Sequence, residues 1–260
     1  MGDFERDTAV RARGDGIFDC DIRKDWWVIA GPNGGYLGAI VVRALSADPE
    51  LGSRPLRSIT LHYVGRPREG AAEVHVEADR HGRSVSFMRA RLLQDDRVMA
   101  SAAAIFADER DGMDIDQLDR PGVTAPEETA ELPDAPDGPP FGRQFHYLPA
   151  IGTPTFGGGD EALTGGWLRL RNERALDAAL IVALTDSWFP AVFVMRTDTA
   201  AVPTLELTVH LRGQLPREGD WALGRYRTRL ARQGFMEEDA EIFSRDGELL
   251  AQSRQLALAG

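Results

Sequence analysis

The chain has 260 residues, of which 43% are hydrophobic, and a formal net charge of -11. This length allows one large domain or two domains of roughly 130 residues with sizeable cores. The acidic balance argues against a broad nucleic-acid interface, and the single Cys20 excludes an intramolecular disulfide framework. No apolar run approaches the roughly 20 residues of a membrane helix. The charged start of the chain also lacks a signal-peptide core, so we expect a cytoplasmic protein without a membrane partner.

The first part of the chain predicts a strand, a helix and four more strands. Residues 1–14 are charged, and we expect them to be frayed. Residues 16–22 alternate apolar and polar side chains, as a half-buried strand does. After a Gly-rich breaker, residues 36–45 carry only Arg43 as a charge, which predicts a helix buried on almost every face. The strands predicted next are 56–65, 71–79, 84–94 and 97–107.

The second part of the chain repeats this pattern after a connector. Residues 108–145 are rich in Asp, Glu, Pro and Gly, and they predict a solvated linker that need not be fixed. A strand is predicted at 165–171, and an apolar helix from Ala175 to Phe189 is stopped by Pro190. The strands predicted after it are 204–213, 221–230, 235–244 and 249–258.

One phrase occurs in both parts. Residues 56–70 contain Ile-Thr-Leu-His and end in Pro-Arg-Glu-Gly, and residues 204–219 contain Leu-Thr-Val-His with the same ending. An apolar helix precedes each copy, and alternating strands follow it. The sequence therefore predicts two copies of one domain, at 1–107 and 146–260, joined by the linker at 108–145.

The chain resembles the type II acyl-CoA thioesterases, a family with a double hot-dog fold. The order and spacing of these stretches carry the resemblance: Gly34-Gly35-Tyr36, Arg66-Pro67, Leu184 to Pro190, Gly234-Phe235 with Phe243 to Gly247, and Leu250 to Gln255. It implies an α+β fold in which each half is a long buried helix wrapped by a curved antiparallel β-sheet. It also implies hydrolysis of acyl-CoA, with CoA as part of the substrate, no separate cofactor and no metal. A role in lipid metabolism and a homodimer are further expectations.

The resemblance also implies a catalytic trio that holds a water molecule. Carried over position by position, the three residues are Asp186, Thr204 and Gln255, with Thr208 on the same strand as the alternative to Thr204. Asp186 would act as the general base. Read without the resemblance, Asp186 ends an almost wholly apolar stretch, where a carboxylate needs hydrogen-bond partners or a function. Bonding to local backbone at the helix end is the alternative.

The trio lies in one half of the chain. Aligning the two copies places Leu56 opposite Thr204 and Ala104 opposite Gln255, and residues 36–45 contain no acid. Core packing gives no reason for this asymmetry. We therefore expect one site per chain, with the second half supplying the polar groups and the first half supplying the wall of the pocket.

The oxyanion donors are predicted at Gly34 and Gly35, where amides and the positive end of the helix dipole come together. A tight turn with close helix–sheet packing is the alternative for these glycines. Two rival functions remain: a hot-dog hydratase or dehydratase acting on enoyl- or hydroxyacyl-CoA, and a non-catalytic acyl-CoA binding protein. In hot-dog enzymes the first of these reactions uses a His that closely follows the Asp, but the next His after Asp186 is His210. The acyl chain length, and the choice between CoA and an acyl carrier protein, are left open.

Overall fold

The computed structural model describes residues 2–51, 53–135, 137–198, 200–217 and 221–259. Glu218 and Gly219, which end the second copy of the repeated phrase, lie outside these residues. The α-helices are α1 (Phe4–Asp7), α2 (Gly34–Ser46) and α3 (Ala178–Leu184). The strands before the linker are β1 (Arg11–Gly14), β2 (Ile17–Ile22), β3 (Leu56–Tyr63), β4 (Gly70–His81), β5 (Val85–Gln94) and β6 (Arg97–Ala107). Those after it are β7 (Phe145–Gly152), β8 (Leu163–Leu170), β9 (Thr204–Leu211), β10 (Ala222–Arg227), β11 (Ala231–Arg232), β12 (Phe235–Ser244) and β13 (Leu249–Leu258).

The strands form one antiparallel sheet with a symmetric order. The order is β1-β2-β4-β5-β6-β3-β9-β13-β12-β10-β8-β7, and β11 pairs with β12. Outward from the β3–β9 pair it reads β3-β6-β5-β4-β2 on one side and β9-β13-β12-β10-β8 on the other. The two sequence copies thus occupy equivalent places in one continuous sheet.

The centre of this symmetry is a pair of threonines. Thr60 of β3 lies directly opposite Thr208 of β9, and their Oγ1 atoms are 2.9 Å apart. When two equivalent strands pair antiparallel about a twofold axis, only the residue at the axis faces its own counterpart. Ser58 opposite His210 and His62 opposite Glu206 follow from the same register.

The helices α2 and α3 pack against each other within the main core. A Cβ added at Gly35 would lie 2.6 Å from the Ala183 carbonyl oxygen, and one at Gly38 would lie 3.1 Å from Val182 Cγ1. Glycine at these two positions therefore lets the helices approach closely. The prediction of a buried first helix is confirmed, because most residues of α2 are buried. The predicted second helix is wrong in length, since α3 ends at Leu184, before Pro190.

The N-terminal residues are ordered, against the sequence expectation. Phe4 of α1 is buried, and its ring meets Trp26 edge-on with 5.5 Å between centroids. The Asp7 carboxylate, also buried, accepts a hydrogen bond from Trp26 Nε1 at 3.1 Å. An aromatic side chain and a paired carboxylate thus fix a segment whose charges predicted fraying.

The linker is also held in place. Leu118 and Val123 pack on a second, smaller core cluster. The buried members of that cluster are Leu148, Trp167, Leu223, Phe243 and Leu249. Trp167 Nε1 donates to the Thr124 carbonyl at 2.9 Å. Because Leu168 belongs to the main core, Trp167 points to the opposite face of the sheet, so the linker covers that outer face. None of the helices in the described part of the chain is long and apolar enough to cross a membrane.

Candidate active site

The turn after α3 is held by side-chain hydroxyls. A helix leaves its last carbonyls without intrahelical partners, and three hydroxyl groups take up those of α3. These hydrogen bonds are Thr185 Oγ1 to the Val182 carbonyl (2.8 Å), Ser187 Oγ to the Ala183 carbonyl (2.6 Å) and Tyr226 Oη to the Leu184 carbonyl (2.6 Å). They end the helix without a glycine and fix the backbone on both sides of Asp186.

Asp186 then reaches across to the first half of the chain. Its Oδ2 accepts hydrogen bonds from Asn33 Nδ2 at 3.0 Å and from the Gly35 amide at 2.9 Å. Asn33 Nδ2 also donates to the Asp186 carbonyl at 2.7 Å. Asn33 Oδ1 meanwhile caps α2 by accepting from the Tyr36 amide at 2.9 Å. One asparagine therefore joins the start of α2 to the end of α3.

The environment of Asp186 changes its acidity. Burial raises the pKa of Asp186 to about 6, although the hydrogen bonds from Gly35, Asn33 and the Gly34 backbone oppose that rise. The residue keeps partial solvent exposure. A carboxylate whose pKa lies near neutral pH suits general base catalysis, because it is ionised at pH 7 and still holds a proton well.

Both glycines predicted to bind an oxyanion lie against Asp186, and their oxyanion role stays a prediction. The Gly35 amide, which was expected to be free, donates a hydrogen bond to the carboxylate of Asp186. A Cβ added at Gly34 would lie 3.0 Å from Asp186 Oδ2 and 2.9 Å from Tyr63 Cζ. Tyr63 Oη donates to the Gly34 carbonyl at 2.8 Å. Glycine at this position thus permits a close approach, as the alternative interpretation of the two glycines requires.

Thr204 and Gln255 meet because of a β-bulge. Thr204 Oγ1 donates to Gln255 Oε1 at 2.8 Å. Thr204 lies opposite Ala257, whereas Glu206, two residues on, lies opposite Leu256, so the register shifts between them. The extra residue turns Thr204 to the face of the sheet that carries Gln255.

The alternative threonine lies on the other face. Thr208 is opposite Arg254, which neighbours Gln255 on β13 and is exposed. Adjacent residues of a strand point to opposite faces. Thr208 instead contacts Thr60 at the centre of the sheet. Of the two candidates, only Thr204 is hydrogen-bonded to Gln255 in the described residues.

Sequence reasoning missed Glu238, a buried acid on β12. Glu238 is 4% exposed, and its Oε1 accepts from Gln255 Nε2 at 3.0 Å. Its other oxygen, Oε2, accepts from the Ala191 amide at 2.5 Å. The strand alternation carries the signal that could have found it, because Met236 and Ala240 on either side of it are buried.

The predicted residues therefore form two clusters in the candidate site. One joins Asp186 to Asn33 and Gly35, and the other joins Thr204 to Gln255 and Glu238. Burial raises the pKa of Glu238 to about 7, and the charge of Asp186 contributes to the rise. The clusters thus lie close enough to interact electrostatically.

The sequence matches two family models along most of its length. The acyl-CoA thioesterase N-terminal domain matches residues 23–107, and the acyl-CoA thioesterase C-terminal domain matches residues 124–259. No curated protein matches the chain.

Solved structures share the fold over the whole chain. A protein of unknown function with a hot-dog fold from Alicyclobacillus acidocaldarius is 24% identical, with a TM-score of 0.91 over 98% of this chain and 97% of its own. A proposed thioesterase II from Thermobifida fusca is 22% identical, with a TM-score of 0.86 over 99% and 97%. An acyl-CoA thioesterase II from Mycobacterium marinum is 18% identical, with a TM-score of 0.76 over 98% and 97%.

Proposed function

The chain belongs to the acyl-CoA thioesterase family, and we propose that it hydrolyses acyl-CoA to the free acid and CoA through a water molecule activated by Asp186. The enzyme class, a thioester hydrolase, follows from the two family matches. We further infer a double hot-dog, in which the halves around α2 and α3 share one sheet. This inference is supported by the strand order, which is the same outward from the centre in both directions.

In the proposed reaction Asp186 takes one proton from the water while the water oxygen attacks the thioester carbonyl carbon. The tetrahedral intermediate then collapses, the C–S bond breaks, and the thiolate of CoA leaves. The proton held by Asp186 passes to that sulfur, which restores the carboxylate. Thr204 and Gln255 would hold the water through the hydroxyl oxygen and the side-chain amide. Gly35 and Asn33 would keep the carboxylate in place.

One observation carries the proposal: a carboxylate with a pKa of about 6 is fixed by neutral donors at the junction of the two halves. A non-catalytic binding protein gives no reason for such a group, since burying a carboxylate has a free-energy cost. The hydratase alternative needs a histidine beside the acid. The side chains of His75, His81 and His146 contact other side chains instead. His62 and His210 are exposed.

The proposal is tested by thiol release from acyl-CoA of several chain lengths, with wild type and Asp186→Asn compared. We expect hydrolysis by wild type and a fall in kcat of about a hundredfold or more in the variant, because the amide cannot accept the proton. The log of kcat/KM should rise with pH through about 6, as the free carboxylate ionises.

Asp198→Asn is the matched control, because Asp198 is exposed and pairs with Arg196. Full activity of Asp186→Asn would refute the assignment of the base. Hydrolysis of an acyl-carrier-protein thioester but not of acyl-CoA would change the proposed thiol carrier and retain the base. The homodimer, the cytoplasmic location and the role in lipid metabolism stay predictions, and light scattering in solution checks the first of them.

A further inference from the structure

Glu238 differs from the other acids of β12 in where its side chain points. Glu237, Asp239 and Glu241 alternate with it and are partly exposed. Asp239 and Glu241 pair with arginines, whereas Glu238 lies on the buried face with Gln255 and the Ala191 amide as its partners. Glu238 has no cationic partner in the part of the chain that the structure describes, and a buried carboxylate without one is costly and calls for a reason.

The geometry gives the hydrogen bonds a direction. An ionised carboxylate can only accept hydrogen bonds. Gln255 must therefore turn its NH₂ group toward Glu238 and its carbonyl oxygen toward Thr204. The Thr204 hydroxyl then donates its proton to Gln255. The lone pairs of Thr204 Oγ1 are left to accept a hydrogen bond from another group. The second N–H of Gln255 also remains to be donated.

We propose that Glu238 is a positioning residue, which fixes the orientation of the Gln255 amide and thereby the direction of the whole Glu238–Gln255–Thr204 chain. This inference rests on the proposed function. With the chain in this direction, the water donates one proton to Asp186 and the other to Thr204, and it accepts from Gln255. Its remaining lone pair is the one that attacks the thioester.

Protonation of Glu238 would reverse the chain. A protonated carboxyl can donate to the Gln255 oxygen, the amide then turns over, and Thr204 has to accept from it. The titratable groups that interact with Glu238 are Asp186, Glu237 and Tyr226. Burial and the charges of Asp186 and Glu237 raise the pKa of Glu238 to about 7. Loss of a proton from Glu238 therefore becomes a second requirement for activity on the acid side.

The near-isosteric variant Glu238→Gln tests this direction. The Ala191 amide can only donate, so it holds the new side-chain oxygen, and the new NH₂ group faces Gln255. We expect kcat to fall about tenfold to a hundredfold with KM changed less than about threefold, because the water is misoriented rather than the substrate. The slope of log kcat against pH below pH 6 should fall from about two to about one, since one ionisation is lost.

Two further variants make the test specific. Glu241→Gln lies on the same strand with its side chain on the other face, and it should keep wild-type kcat and slope. Glu238→Met covers the case in which Glu238→Gln fails to fold, because Met88 fills the equivalent buried position in the first half. This variant should fold, and it should also show the lower kcat and the slope of about one in log kcat against pH.

The outcomes separate this inference from the proposed function. Wild-type kcat and slope in both Glu238 variants, with Asp186→Asn inactive, would refute the positioning role alone. An active Asp186→Asn would refute the proposed base, and with it the water whose orientation Glu238 is inferred to set. Reduced kcat with the slope still near two would mean that Glu238 acts through packing, which also refutes the inference.

Discussion

The two halves of the sheet have the same strand order but different chemistry at three equivalent positions. The register of the strands gives these pairs: Leu56 and Thr204, Met88 and Glu238, and Ala104 and Gln255. The three residues of the first half are all buried and apolar. Even the β-bulge recurs, because the register shifts just after Leu56 as it does just after Thr204. The fold therefore forms at these positions without polar groups, and the polar set of the second half needs a functional explanation.

The ends of the two helices show the same contrast. At the end of α3, Asp186 is bound by neutral groups of Asn33 and Gly35 at the start of α2. At the opposite end, Asp177 caps α3 and forms salt bridges with Arg43 of α2, at 3.1 Å, and with Arg174. One junction thus neutralises its carboxylate with cations. Among the described residues the other junction pairs its carboxylate with no cation, which fits the base role proposed for Asp186.

The contrast between the two halves would be contradicted if the first half accepted a polar residue at one of these positions without loss of stability. Ala104→Gln would bury an amide beside Met88, which cannot accept the hydrogen bond that Glu238 accepts from Gln255 in the second half. We expect a loss of about 2–4 kcal/mol in the free energy of unfolding, from an unsatisfied amide and from overpacking. Denaturant unfolding measures this loss. Ala103→Gln, the next residue and exposed, should change it by less than about 0.5 kcal/mol. Equal stability of the two variants would contradict the argument.

A second prediction concerns the glycine that brings α2 close to Asp186. In Gly34→Ala, the added methyl group forces either Asp186 Oδ2 or the Tyr63 ring to move. Because a general base must be placed to within a fraction of an ångström, the role proposed for Asp186 predicts that kcat falls about tenfold to a hundredfold in the thiol-release assay. Gly122→Ala is the control, since its Cβ would meet no atom within 4 Å. A kcat within about twofold of wild type would show that Asp186 needs no such placement.

Alternation and repetition account for the part of the fold that the sequence could predict. The predicted strands at 235–244 and 249–258 coincide with β12 and β13, and Thr60, aligned with Thr208 in the repeat, proved to be its partner. The covering of the outer face by the linker was not predictable, because it depends on tertiary contacts made by an acidic segment without periodicity. The hydrogen bond between Asn33 and Asp186 spans 153 residues, so no local pattern could indicate it.

The site residue Asp186 of the second half should also lower the stability of the folded protein at neutral pH. The pKa of Asp186 is raised to about 6 in the folded protein from an ordinary value of 3.8. The folded state therefore binds the proton more tightly, and stability falls as pH rises from about 4 through 6. Asp186→Asn removes this cost and should raise the Tm at pH 7.5 by a few degrees, with a smaller change at pH 4. A variant less stable than wild type at pH 7.5 would contradict this sign.

The smallest expected effect compares the outer faces of the two halves. In the second half the linker covers Trp167, whose Nε1 donates to the Thr124 carbonyl, whereas Phe87 on the first half is 42% exposed. Trp167→Phe removes one hydrogen bond and some packing, so it should cost about 1 kcal/mol, or about 2–4 °C in Tm. Phe87→Leu should cost less than about 0.5 kcal/mol. Both variants should keep wild-type kcat, because the candidate site does not lie on either outer face. Equal changes in Tm would mean that the linker contributes no more to stability than solvent does at the uncovered face.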